Sequence, residues 1–211
     1  MVRVLLGLLT ALLAPALSAG ELRIGLADQN GKPVDDAVVT LAPTEGISSV
    51  PGEGRTFEIV QSDQEFAPYV TVVPVGATVV FPNRDTVQHH VYSLSRPKKF
   101  EFPLYDPGKS AQLVFDQPGV ITLGCNIHDW MLAYLVVVPT PHFAQSDATG
   151  QAALAVPPGN YTLEIWHPRL SRPVRQTVQL TDANTALTYT LRLRSERRIR
   201  RAPSAEGGGY N

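Results

Sequence analysis

Residues 119–138 read GVITLGCNIHDWMLAYLVVV. GVITLGC and LAYLVVV are short runs rich in Val, Leu and Tyr, the composition of β-strands. The first is expected to end at Cys125 and the second to begin at Met131, so the tight loop NIHDW carries His128 across the rim of the sheet between them. Cys125, His128 and Met131 thus fall within the stretch GCNIHDWM, and Cys125 is the only cysteine in 211 residues. A thiol, an imidazole and a thioether at such spacing pose a chemical question that the rest of the chain must answer.

The surrounding sequence is β throughout. ELRIGLA, AVVTLAP, YVTVVPVGATVVF, HHVYSL, SAQLVF, NYTLEIWH, RQTVQL and ALTYTLRL are short and often alternate apolar with polar residues. Turn signals stand between them, among them Gln29-Asn30-Gly31, Asp106-Pro107-Gly108, Gln117-Pro118-Gly119 and Pro157-Pro158-Gly159. After the opening segment no stretch keeps a 3.6-residue apolar period, so an all-β sandwich architecture is expected.

The opening MVRVLLGLLTALLAPALSAG has one arginine, an apolar run and then small residues, the pattern of a secretory signal peptide. Cleavage is expected between Ala19 and Glu21, which places the mature protein in the periplasm without a membrane span. No later segment approaches the roughly 18 consecutive apolar residues that spanning requires. Net charge is −1, and the basic residues gather in the tail RLRSERRIRRAPSAEGGGYN. Its Gly-rich ending argues for a solvated terminus, not a nucleic-acid site. In an oxidising compartment cysteines usually pair. An unpaired Cys125 is therefore an inert buried thiol, an intermolecular bridge, a nucleophile or a metal-bound thiolate.

Two separated segments look like halves of one module. LRIGLADQNGKPVDDAVVTLAP and SDATGQAALAVPPGNYTLEIWHP each give strand, turn and strand. Together they resemble the carboxypeptidase regulatory-like (transthyretin-like) β-sandwich. The expected organisation is a signal peptide over residues 1–20, the first part of that sandwich over 21–45, an inserted second sandwich over 46–139, the remainder of the first over 140–195, and a disordered tail over 196–211. Insertions of this kind are tolerated in exposed loops.

The donor set of the loop suits copper. Thiolate and thioether favour Cu(I), imidazole accepts both oxidation states, and two histidines with a cysteine and a weak axial methionine describe an electron-transfer site. The second histidine must come from HHVYSL, which offers His89 and His90. Adjacent strand residues face opposite sides, so only one points inward. Alternation groups His89 with Val91 and Ser93, and His90 with Tyr92 and Leu94, and does not choose between them.

VGATVVFPNRDTVQHHVYSLS followed by FDQPGVITLGCNIHDWMLAYLVVV resembles the cupredoxins, the plastocyanin and amicyanin family of blue copper proteins, as in methylamine-utilisation-type proteins. The short Cys-x2-His-x2-Met loop is similar to that of amicyanins, and the likeness covers roughly residues 65–138. It implies a Greek-key sandwich, one type 1 copper, and His89, Cys125, His128 and Met131 as ligands, with His128 as the electron port. It further implies an electron carrier, not an enzyme, with a redox partner protein. The family usually has Asn after the first ligand histidine. Here His90 stands there and Asn126 follows the cysteine, so the pair that fixes the ligand loop is exchanged or His90 is an alternative ligand.

The same residues admit other readings. A lone histidine such as His142 or His167 is more often a surface or satisfied histidine than a ligand. Ile127, Trp130 and Leu132 are loop packing or a small apolar patch for brief docking. Cys125 and His128 as nucleophile and base lack an orienting third group and an oxyanion hole. A copper-delivery protein and a structural β module remain the alternatives to electron transfer.

Overall fold

The computed structural model describes residues 20–45 and 52–195. The expected signal peptide and tail lie outside the described residues, apart from Gly20, which begins the first strand. The described chain is all-β. In order its strands are β1 (Gly20–Asp28), β2 (Val38–Pro43), β3 (Thr56–Glu58), β4 (Val60–Ser62), β5 (Glu65–Ala67), β6 (Val70–Pro74), β7 (Ala77–Pro82), β8 (His89–Ser93) and β9 (Phe100–Tyr105), followed by β10 (Ser110–Phe115), β11 (Gly119–Gly124), β12 (Leu132–Val138), β13 (His142–Gln145), β14 (Gln151–Val156), β15 (Gly159–Trp166), β16 (Val174–Leu180) and β17 (Thr185–Leu191). Among the described residues no helix is long and apolar enough to cross a membrane.

Two apolar cores organise these strands. One lies between the sheets β14-β1-β17 and β13-β2-β15-β16 and contains Leu22, Ile24 and Leu26 of β1 with Leu41, Leu154, Leu163 and Ile165. The other lies between β10-β7-β3 and β6-β12-β11-β8-β9. It contains Val79, Phe81, Phe115, Ile121, Leu123, Leu135, Cys125 and Met131. Each follows from period-2 alternation: Ala77, Val79 and Phe81 of β7 are buried while the residues between them are partly exposed.

Strand β12 explains how the two cores are joined. Ala133, Leu135 and Val137 face the second core, whereas Val136 and Val138 face the opposite way and pack with Val38 and Val70. LAYLVVV is therefore apolar almost without interruption because both its faces are covered. Tyr134 adds edge-to-face contacts with Tyr69, centroids 5.5 Å apart, and with Trp166, 5.6 Å apart. Gln145 of β13 donates to the Val70 carbonyl across the same seam at 3.3 Å.

YVTVVPVGATVVF, one continuous run in the sequence, divides into β6 and β7, which belong to different sheets. The switch occurs at Val75 and Gly76, whose φ of +89° suits a residue without a side chain. The short strands β3 to β5 and the strands β9 and β13 are additional to the runs read from the sequence. Strands as short as β3, β4 and β5 cannot show a period, and β9 carries Glu101 and Pro103 at the edge of its sheet, where proline is tolerated.

Candidate metal centre

Strand β8 brings both histidines into buried positions: His89 is 0 % and His90 5 % exposed. The alternation nevertheless separates them. Val91 lies in the second core with Cys125, and His89 is grouped with Cys125 and His128, whereas His90 is buried against Glu101 and Asn126. The register against β9 shifts between His89 and Val91, a local irregularity that turns the end of the strand.

On the core side, ligand atoms of His89, Cys125 and His128 all lie within 4.8 Å of one another. Cys125 follows the last residue of β11, and His128 stands in the loop to β12. That loop is closed by a hydrogen bond from the Met131 N–H to the His128 carbonyl at 3.0 Å. The Cys125 Sγ to His128 Nδ1 distance is 3.7 Å. Metal bonds of roughly 2.0 Å to nitrogen and 2.3 Å to sulfur would make that separation subtend about 120° at a shared ion. The His89 and His128 rings have centroids 4.9 Å apart. Met131 is buried in the same cluster as Cys125, and both line a cleft of about 540 Å³ with Tyr92, Leu94, Gly124 and Trp130.

The surroundings of His89 determine which nitrogen is available. Its Nε2 lies 3.0 Å from Asp85 Oδ2. Asp85 also accepts the Gln64 N–H at 2.6 Å and the Thr86 N–H at 2.8 Å. Burial alone would push the Asp85 carboxyl up, but the Gln64 N–H, His89 and the Thr86 N–H together hold it below the usual carboxylate range. A carboxylate oxygen facing Nε2 favours the His89 tautomer that carries its proton on that nitrogen. The other nitrogen, Nδ1, is buried and has no hydrogen-bond partner in the protein. An orphaned buried nitrogen on a residue grouped with a thiol and a second imidazole fits a metal ion, which would complete its bonding.

The loop that carries Asp85 is itself fixed. Asn83, 1 % exposed, donates to the Val87 carbonyl at 2.9 Å and the Tyr105 carbonyl at 3.2 Å, and its Oδ1 accepts the Asp85 N–H at 3.0 Å. The hairpin β4–β5 is tied to this loop by the Gln64 N–H donated to Asp85 and by the Arg84 N–H donated to the Gln61 carbonyl at 2.9 Å. Its two turn residues, Asp63 and Gln64, have φ of +54° and +56°, the geometry of a two-residue primed turn.

His90 has different neighbours. Its Nε2 lies 2.8 Å from Glu101 Oε1 and 3.4 Å from the side-chain nitrogen of Asn126. The structure thus places His90 beside Asn126, the exchanged pair suggested by the sequence, and leaves His90 outside the His89–Cys125–His128 group. Gly124, immediately before the cysteine, pairs with Tyr92; a Cβ there would come within 2.9 Å of the Tyr92 ring. Only glycine lets that ring cover the backbone beside Cys125. Ile127 is 48 % exposed, whereas Trp130 is half-buried and hydrogen-bonded, so only part of the expected apolar patch is open to solvent.

His142 and His167 do not join the group. His167 is buried and its Nδ1 accepts the Arg169 N–H at 3.1 Å, and His142 stacks edge-to-face on Tyr161. Sequence reasoning assigned no role to Asp85, Gln64 or Glu101. Asp85 stands in the segment FPNRDTVQHH, but its reach to His89 depends on the loop's fold, which periodicity does not report.

No family model matches the chain, and no curated protein matches it. Among solved structures it is similar to a novel purple cupredoxin from Nitrosopumilus maritimus, at 26% identity over 38% of this chain and 98% of that one, with a TM-score of 0.35. A mutant of amicyanin in its Cu(I) form gives 18% identity, 47% and 98% coverage and a TM-score of 0.38. The copper-containing nitrite reductase of Thermus scotoductus gives 22% identity over 55% of this chain and 28% of that one, with a TM-score of 0.38.

Proposed function

We propose that this chain is an exported, cupredoxin-type protein that binds one type 1 copper through His89, Cys125, His128 and Met131 and carries electrons to or from a partner protein. The observation that carries this reading is the His89–Cys125–His128 group, whose ligand atoms lie within 4.8 Å of one another, with a His89 Nδ1 that is buried and has no hydrogen-bond partner. The resemblance of the two ligand-bearing segments to cupredoxins supports it. Copper, when bound, supplies a one-electron couple between Cu(II) and Cu(I). The residues supply the rest: Cys125 gives the strong thiolate bond, His89 and His128 the imidazoles, and Met131 a weak thioether contact. The second core packs against the segments that carry them, so a change of charge at the site meets little freedom to rearrange. His128, half-exposed on its loop, is the edge through which an electron leaves.

The cleft that reaches Cys125 and Met131 favours a second reading, a copper-holding protein that passes the ion on. Voltammetry of the copper-loaded protein separates the two. An electron carrier gives a reversible wave and keeps its copper over repeated cycles; a delivery protein releases the ion to a chelator on reduction.

We propose further that residues 46–139 are a sandwich inserted into a transthyretin-like one formed by 21–45 and 140–195, and that the latter serves as a support. The seam of Val38, Val70, Val136 and Val138 gives that support its physical means. Limited proteolysis is expected to cut first near these boundaries and to release a stable core fragment. Cleavage scattered evenly through the chain contradicts the division.

A further inference from the structure

The metal site rests on a chain of contacts that joins its two ligand-bearing segments without passing through any ligand bond. Trp130, between His128 and Met131, donates its Nε1–H to the Gln64 carbonyl at 2.9 Å. The N–H of the same Gln64 is donated to Asp85 Oδ2 at 2.6 Å, and that oxygen faces His89 Nε2 at 3.0 Å. One residue at the tip of the β4–β5 hairpin therefore touches the ligand loop with its carbonyl and the support of His89 with its amide. The Asp85 side chain is only 10% exposed and the His89 side chain fully buried, so water screens their interaction little.

We propose that Asp85 is a positioning residue of the metal centre: its carboxylate fixes His89 in the Nε2–H tautomer, aims Nδ1 at the ion, and by its negative charge favours the oxidised over the reduced state. This rests on the copper reading above. The physical reasoning is general. A carboxylate on the far nitrogen of a ligand imidazole sets ring orientation and raises the basicity of the ligating nitrogen. A buried negative charge near an ion stabilises its higher charge state more than its lower one. Both effects act in the same direction and lower the reduction potential.

Two variants divide the effects, and one measurement needs no variant. Nitrogen-15 spectra of the metal-free wild-type protein should show His89 protonated at Nε2 alone; an Nδ1–H resonance for His89 overturns the proposal. In Asp85→Ala, which removes the acceptor, the other tautomer should appear, and Cu(II) affinity should fall about tenfold or more. In Asp85→Asn, which keeps an acceptor and removes the charge, Cu(II) should lose more affinity than Cu(I). A tenfold change in that ratio is a rise in potential of about 59 mV. A variant that binds copper with unchanged potential and unchanged His89 tautomer overturns the role of Asp85 while leaving the copper reading intact. A wild-type protein that takes up no copper overturns that reading and with it the proposed effect on potential, while the tautomer spectra still decide whether Asp85 orients His89.

Discussion

Trp130 is hydrogen-bonded to Gln64 from 66 residues away, its indole N–H donating to the main-chain carbonyl at 2.9 Å. The contact anchors the loop between β11 and β12, which carries His128, to the separate two-stranded hairpin β4–β5. Its ring also lies against His128, centroids 5.3 Å apart, so the indole orients the loop from two sides.

Replacing Trp130 with Phe removes the N–H and keeps most of the ring. The expected loss of stability is about 0.5–1.5 kcal/mol, the usual net worth of such a bond, read from the urea midpoint of the metal-free protein. A looser His128 should also broaden the copper hyperfine lines in the electron paramagnetic spectrum. Unchanged midpoint and unchanged lines would show that the loop holds itself.

The two adjacent histidines should behave differently. His89→Gln is expected to abolish tight copper binding, because it removes a donor from the core-facing group. His90→Gln should retain binding with a modest change in spectrum, since its ring lies against Glu101 and Asn126 instead. Isothermal titration with copper checks both. Equal losses in the two variants would mean that His90 reaches the ion.

This pair also shows how far the sequence is legible. The β class of the chain and the placing of Cys125, His128 and Met131 on one strand–loop–strand unit follow from local composition and spacing, because such a unit is a short-range object. The choice between His89 and His90 does not. It depends on which face of β8 meets the core, and both faces are covered, so burial of the neighbours gives no local sign. Asp85 was hidden for a related reason: it reaches His89 through a loop bent by Asn83, whose contacts to Val87 and Tyr105 form only in the folded protein. The break of YVTVVPVGATVVF into two sheets is likewise decided by packing; its one local mark is Gly76.

Acid should weaken the fold partly through Asp147. Its carboxylate accepts the Thr149 hydroxyl, the Gln151 N–H and the Thr149 N–H, and these hold it below the usual carboxylate range. A depressed folded-state value means that the stabilisation is present above the unfolded value of about 3.9 and is lost as pH falls through the folded one. Thermal melts of the wild type and Asp147→Asn should therefore differ at neutral pH and converge in acid. A difference that grows as pH falls would contradict this assignment.

The most direct measurement is the visible spectrum of the copper-loaded mature protein beside that of Cys125→Ser. Sulfur-to-copper charge transfer should give the wild type an intense visible band, and the variant should lack it while remaining folded. A correctly folded wild type that holds copper at one equivalent and stays colourless would contradict the thiolate-ligated site on which this account rests.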